Sequence, residues 1–326
     1  MNTPPPAADV LSRRSRVTLV GAGVIGISWA AVMLAHGLRV TVSDPQPDVE
    51  SRVRRALPLI APALRALGLP VEDLDARLSF EPDLARAVAD ADVVQENGPE
   101  RLDFKRQLFA AVEEAAPAGA LLLSSTSGLR ATDICQDMRR PGRLLVGHPF
   151  NPPHLVPLVE VVPGQLTDES VVTEAVAFYR ALGKRPQVIH KEVPGFVANR
   201  LQSALFREAV HLVAEGVVTE AELDDVVTSS IGLRWAVAGP FRTFHLGGGP
   251  GGLTDFLEHF GRNMEAGWAG LGHPRFDEAT VRLLSRQAER DFGGRPYQEL
   301  EAERDRGQIA VLRALGRTPA DHGSAH

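Results

Sequence analysis

Short apolar runs alternate with amphipathic stretches along the first 190 or so residues. The strand-length runs are Val17 to Val20, Leu38 to Ser43, Leu78 to Phe80, Asp92 to Gln95, Ala120 to Ser124, Leu144 to Gly147, Leu158 to Val162 and Gln187 to Ile189. Between them, Val24 to His36, Asp83 to Ala89, Asp103 to Ala115 and Asp168 to Leu182 carry helical spacing, and Gly37 and Gly183 are placed to stop two of these helices. Glu50 to Leu67 keeps helical spacing at Val53, Leu57, Ile60, Leu64 and Leu67, but Pro58 and Pro62 predict an interruption. Beyond Val193-Pro194-Gly195 the pattern is helical throughout. Val197, Leu201, Leu205, Ala209 and Leu212 form one stripe, and Thr219 with Glu222 makes a capping box. Gly247 to Gly252 reads as a flexible interruption before helices resume to about Leu315. The expected fold is α/β: an N-terminal Rossmann-type doubly wound sheet over residues 1–193, followed by an all-α C-terminal domain over 194–326. Met1 to Asp9 is expected to be a disordered arm and Arg317 to His326 a loose tail.

The first strand-helix-strand unit carries the clearest chemistry. Gly21, Gly23 and Gly26 make Gly-x-Gly-x-x-Gly between strand and helix, and Asp44 ends the next strand. Gly21 permits the tight turn, Gly23 lets a pyrophosphate approach the backbone, and Gly26 lets helix and strand pack closely. The helix N-terminus, with Val24 and Ile25 in its first turn, offers unpaired N–H groups to phosphate oxygens. Asp44 suits the two ribose hydroxyls of NAD and would repel the 2′-phosphate of NADP; no Arg directly follows it. NAD is the expected cofactor.

Composition narrows the remaining classes. The chain has 326 residues, is 44% hydrophobic and carries a formal charge of −6, so neither nucleic acid nor an anionic membrane is an expected partner. The single cysteine, Cys135, excludes an internal disulfide framework and is compatible with the cytoplasm. The ten histidines show no ligand spacing, so no metal site is expected.

A second constellation lies in Leu145 to Gly164, LVGHPFNPPHLVPLVEVVPG. Glu160 sits inside a run of Leu and Val, where an ionised carboxylate costs several kcal/mol without a partner. His148 ends the preceding strand, and the Pro-rich loop between them can bring imidazole and carboxylate together. A purely structural His–Glu pair would satisfy the same pattern. Asn199, in the first turn of the helix after Pro194-Gly195, reads as a cap or as a donor to substrate oxygen. Ser127 reads as a turn serine or as a residue on the ligand edge of the sheet.

Taken together these motifs resemble the L-3-hydroxyacyl-CoA dehydrogenase family over nearly the whole chain. The glycine loop, Glu100 with Lys105, Thr126-Ser127, His148-Pro-Phe-Asn151-Pro, Leu158-Val-Glu160-Val and Pro194-Gly-Phe-Val-Ala-Asn199-Arg200 carry the resemblance. It implies His148 and Glu160 as the catalytic pair and Ser127 and Asn199 as substrate contacts. It also implies Glu100, Lys105, Ser127 and Asn151 as NAD contacts beside the glycines and Asp44. The activity implied is oxidation of the 3-hydroxyl of a small 3-hydroxy acid by hydride transfer to NAD. Leu233-Arg234-Trp235, Gly239-Pro240-Phe241 and the glycine-rich loop before Phe256 are most similar to family members acting on carnitine. An L-carnitine-like substrate is therefore expected, ahead of a sugar acid such as L-gulonate or a 3-hydroxyacyl-CoA. A homodimer through the C-terminal helices is expected from the Val197 to Leu212 stripe. A hydrolase using Ser127 and His148 lacks a Gly-x-Ser-x-Gly elbow. A non-enzymatic, crystallin-like role would leave the intact pair unexplained.

Overall fold

The computed structural model describes residues 6–319. Eight strands form one sheet: β1 (Arg16–Val20), β2 (Arg39–Ser43), β3 (Leu78–Phe80), β4 (Val93–Glu96), β5 (Leu121–Ser124), β6 (Leu144–Pro149), β7 (Leu158–Pro163) and β8 (Arg185–Val188). Their spatial order is β3-β2-β1-β4-β5-β6-β7-β8. Every neighbouring pair is parallel except β6 and β7, which are antiparallel. Order reverses between β1 and β4, the switch point at which such sheets bind ligands.

The helices of the first part are α1 (Ala7–Arg13), α2 (Val24–Ala35), α3 (Val49–Ala66), α4 (Leu84–Val88), α5 (Leu102–Ala115), α6 (Ala131–Ile134) and α7 (Glu169–Ala181). They cover both faces of the sheet. Leu121 and Leu123 of β5 pack with Trp29, Val53 and Phe178 of α2, α3 and α7, while Leu122 packs on the other face with Phe109, Val112 and Ile134. This alternation within one apolar strand is what burial on two faces produces.

Two expectations change here. The segment with Pro58 and Pro62 is one continuous helix, α3, rather than an interrupted one. Both prolines lie four apart on its exposed face, where the carbonyls they leave unpaired can be hydrated, while Val49, Val53, Leu57 and Leu64 hold the buried face. The expected N-terminal arm is helical from Ala7, because Val10 is buried in the main core; Met1 to Pro5 lie outside the described residues. The expected tail is also docked at its start: Arg317 N–H donates to Leu312 O (2.9 Å) and Thr318 is buried. Ala320 to His326 lie outside the described residues.

The later helices are α8 (Ala198–Ala214), α9 (Glu220–Ser229), α10 (Ile231–Val237), α11 (Pro240–Gly247), α12 (Gly252–Trp268), α13 (Glu278–Phe292) and α14 (Tyr297–Ala314). The chain divides into two compact units: residues 1–198 with 303–326, and residues 199–302. The end of α14 belongs to the first unit, where Ile309 and Leu312 pack with Ala63, Leu67 and Leu155. In the second unit the expected capping box of Thr219 and Glu222 closes the start of α9. Its α9, α10, α11 and α13 bury no residue, and Leu201, Phe206, Phe241, Leu246 and Trp268 are exposed.

Candidate active site

The carboxyl ends of β1, β4, β5 and β6 lie along one edge of the sheet, because these strands are parallel. That edge gathers the glycine loop, Glu96 to Glu100, Ser125 to Gly128 and the turn after His148. Glycine is required in the first of these. Gly21 has φ +93°, and a Cβ on Gly26 would stand 2.1 Å from the Gly21 carbonyl oxygen. Gly23, by contrast, faces open space, with no atom within 4 Å of an added Cβ. Two glycines are sealed by backbone and the middle one is free, as close approach of a pyrophosphate requires. The N–H groups of the first turn of α2 have no partner within that helix. At the end of β2, Asp44 Oδ2 accepts from Ala22 N–H (2.9 Å) and Oδ1 from Gln46 N–H (2.9 Å). The carboxylate thus braces the glycine loop and stands beside it. These features fit NAD.

The loop after β4 is tied to the loop after β5. Glu100 Oε1 accepts from Thr126 Oγ1 (2.5 Å), Ser127 N–H (3.0 Å) and Gly128 N–H (3.1 Å). Lys105 lies inside, only 1% exposed, and donates to Glu96 Oε1 at 2.6 Å; Glu100 Oε2 is 3.7 Å from its ammonium. Glu96 is fully buried and also accepts from Ser124 Oγ and Gly98 N–H, each at 2.6 Å. Lys105 therefore supports these loops from beneath. Asn151 is exposed in the turn after β6, ahead of the cis Asn151–Pro152 bond.

His148 and Glu160 meet through strand register. In the antiparallel β6–β7 pair they stand directly opposite each other, and His148 Nδ1 donates to Glu160 Oε2 at 2.9 Å. The Pro-rich loop closes the hairpin, and the ladder sets the contact. The carboxylate fixes the Nδ1–H tautomer and leaves Nε2 as the basic nitrogen. Glu160 Oε1 accepts from the backbone N–H groups of Val197 (3.0 Å) and Ala198 (2.9 Å). Burial works against the Glu160 charge, but the bonds from His148, Ala198 and Val197 prevail and hold the carboxyl below its usual range. Phe150 and Phe196 wall the imidazole, with ring centroids at 4.6 and 5.5 Å. Asn199, one residue beyond Ala198, opens the second unit in the first turn of α8.

Several supporting residues went unread in the sequence. Glu96 follows the strand-length run Asp92 to Gln95 with Gln95 before it and Asn97 after it, so unlike Glu160 it has no apolar neighbours in sequence to announce its burial. A buried chain runs from Tyr179 OH to Gln95 Oε1 (2.7 Å), from Gln95 Nε2 to Ser125 Oγ (2.8 Å) and from Ser125 Oγ to Asn97 Oδ1 (2.7 Å). The Asn97 N–H donates to Val20 O (2.7 Å) and its carbonyl leaves no room for a Cβ on Gly21, so this chain ends beside the glycine loop. His154, assigned no role from sequence, bonds to Ser28 of α2 through Nδ1 at 2.9 Å, and burial pushes its imidazole down to about 4. In the second unit Phe244, Phe256 and Phe260 pack ring on ring, with centroids 4.8 and 5.1 Å apart. Trp235, Phe241 and Trp268 keep exposed faces.

Comparison with known proteins agrees with this geometry. Residues 16–193 match the 3-hydroxyacyl-CoA dehydrogenase NAD binding domain, and residues 195–271 match the C-terminal domain of the same family. The chain is 50% identical over 304 residues to an L-carnitine dehydrogenase of Streptomyces griseus, covering 93% of this chain and 91% of that one. It is 42% identical over 318 residues to a 3-hydroxyacyl-CoA dehydrogenase of Gibberella moniliformis, covering 94% and 98%. A solved structure of 5-formyl-3-hydroxy-2-methylpyridine 4-carboxylic acid 5-dehydrogenase, an NAD+-dependent dismutase, superposes with TM-score 0.79 at 31% identity, covering 92% and 98%. The chain belongs to the 3-hydroxyacyl-CoA dehydrogenase family and is an NAD-dependent dehydrogenase acting on a CH–OH group.

Proposed function

We propose that this dehydrogenase oxidises the 3-hydroxyl of L-carnitine, with His148 as the base. The observation that carries the substrate is the 50% identity, over more than nine-tenths of both chains, to an L-carnitine dehydrogenase. His148 Nε2 takes the hydroxyl proton of the substrate. Glu160, held through its other oxygen by Val197 and Ala198, balances the imidazolium as it forms. Ser127 and Asn199 hold the substrate oxygen so that its carbon faces the cofactor. Bound NAD supplies the hydride acceptor; the glycine loop, Asp44, Glu100, Lys105 and Asn151 are its proposed site.

The other reading, a CoA thioester, has the Gibberella relative in its favour. The arginines of α3 do not discriminate: Arg52 pairs with Asp48, Arg54 with Glu50 and Asp75, and Arg65 with Glu72, at 2.8 to 3.8 Å, in exposed contacts worth little against a bound phosphate. Steady-state NAD reduction decides. The kcat/KM for L-carnitine should exceed that for 3-hydroxybutyrate, which lacks the quaternary ammonium, by well over tenfold, which is about 1.4 kcal/mol. An aromatic face seating that cation is worth about 0.5–2 kcal/mol, so aromatic faces together with a carboxylate reach this value. Parity, or a preference for 3-hydroxybutyryl-CoA, returns the substrate to the acyl class.

The division into an NAD-binding domain over 1–193 and a substrate and dimerisation domain over 194–326 belongs to the same reading. The surface of residues 199–302 supports a homodimer: four of its helices bury nothing, and its exposed apolar side chains offer a second copy of the chain a surface to cover. Sedimentation at micromolar concentration should give twice the mass of the chain; a monomer there rejects the dimer. Among the described residues no helix is long and apolar enough to cross a membrane. NAD dependence and a single cysteine favour the cytoplasm.

A further inference from the structure

The Pro194-Gly195-Phe196 turn contains an aromatic residue in a backbone region that L-residues avoid. Gly195 has φ +74°, which costs glycine nothing. Phe196 follows with φ +49°, where its Cβ crowds the backbone. Asp73 is the other non-glycine residue with positive φ among those described. Phe196 is nonetheless fully buried, its N–H donates to Val193 O (3.0 Å), and its side chain packs with Ala131, Val146 and Val162. The left-handed pair reverses the chain abruptly. The next two N–H groups, of Val197 and Ala198, consequently converge on one oxygen of Glu160. The ring of the same residue stands 5.5 Å from the His148 ring.

We propose that Phe196 is a positioning residue for the dehydrogenase reaction: its left-handed backbone aims two N–H donors at Glu160 while its ring walls His148. Both halves of the catalytic pair are then oriented by one residue that touches neither substrate nor cofactor. Strain of this kind persists where the surroundings over-determine it, and here they do so beside the reacting groups. The two N–H groups draw charge toward Oε1, away from His148. Without them the carboxylate faces the imidazole with its charge undivided and the pair holds its proton more tightly. The base is then lost at higher pH.

Two substitutions separate backbone from ring. Phe196→Gly removes the ring but keeps the left-handed backbone at no cost; Phe196→Ala removes the ring and retains the cost. The measurement is kcat/KM against pH with NAD and L-carnitine, alongside NADH affinity by fluorescence. The proposal concerns the pair and not the substrate. If L-carnitine is not turned over by the unaltered protein, the substrate reading fails and the same profiles are taken with 3-hydroxybutyryl-CoA. Expected are a fall in kcat/KM of about three- to tenfold for Phe196→Gly, on the order of one lost packing or hydrogen-bond contribution, and an acid limb unmoved from the unaltered protein. Phe196→Ala should move that limb to higher pH, with NADH affinity unchanged in both. If those two proteins do not fold, Phe196→Leu against Phe196→Ile reads a backbone difference at equal volume without the ring, because the β-branch of isoleucine disfavours positive φ more strongly. The proposal is overturned if the limb of the backbone-disfavouring variant coincides with that of its partner. It is equally overturned if the loss of kcat/KM follows loss of NADH affinity alone.

Discussion

His148→Ala should abolish dehydrogenation while leaving NADH binding nearly intact. The expected loss in kcat is about 10²–10⁴-fold, the usual contribution of a positioned general base. The imidazole lies at the end of β6, buried, with Nδ1 committed to Glu160 at 2.9 Å and Nε2 left for the substrate. Nothing in that arrangement carries the glycine loop, which is braced instead by Asp44. Asp44→Ala is therefore the contrasting change: it should weaken NADH binding and narrow the preference for NAD over NADP, with a smaller effect on kcat once NAD is saturating. Single-turnover rates with fluorescence titration of NADH separate the two. Wild-type rates from His148→Ala would reduce the pair to a structural contact. Equal turnover of NAD and NADP by the unaltered protein would remove Asp44 from its proposed role.

Lys105→Met should cost about 3–5 kcal/mol of folding stability, because it leaves the Glu96 carboxylate buried without its counter-charge. Ser124 Oγ and Gly98 N–H still donate to that carboxylate but cannot neutralise it. At roughly 2–4 °C per kcal/mol for a unit of this size, the melting point should fall by about 6–20 °C. Combining Lys105→Met with Glu96→Gln should recover much of the loss, since an apolar or neutral pair in such a place is often close to neutral in stability. Thermal unfolding of the two single variants and the double variant measures this cycle. The result also bears on the proposed contact between Lys105 and NAD. A Lys105→Met protein with an unchanged melting point and a raised KM for NAD would mean that the lysine reaches out to the cofactor. A destabilised protein whose surviving fraction binds NAD normally would mean that it acts from beneath, through Glu96 and the Glu100 loop.

The strand and helix pattern was open to reading because each element in the first part repeats one local rule. β3 and the starts of α2 and α7 fall at or within a residue of where period, glycine and N-cap signals put them. The glycine loop and Asp44 were equally legible, since phosphate binding needs consecutive residues and a fixed spacing to the acid. An acid inside an apolar run announced that Glu160 needed a partner, because the cost of burying a charge does not depend on knowing the fold. Other features depended on how elements pair and pack on one another. The Pro-rich loop allowed His148 to meet Glu160, but the antiparallel register that sets the two directly opposite each other is a property of the β6–β7 ladder. Packing of Val49, Val53, Leu57 and Leu64 carries α3 through two prolines, an outcome that local propensity opposes. Burial of Lys105 against Glu96 depends on where α5 lands on the sheet. The left-handed Phe196 contradicts the preference of its own residue type, and only the surrounding Ala131, Val146, Val162 and His148 make it the lower-energy choice. Local rules thus specified the elements and the cofactor loop, while strand pairing and the packing of helices on the sheet decided which charges meet and how the catalytic pair is held.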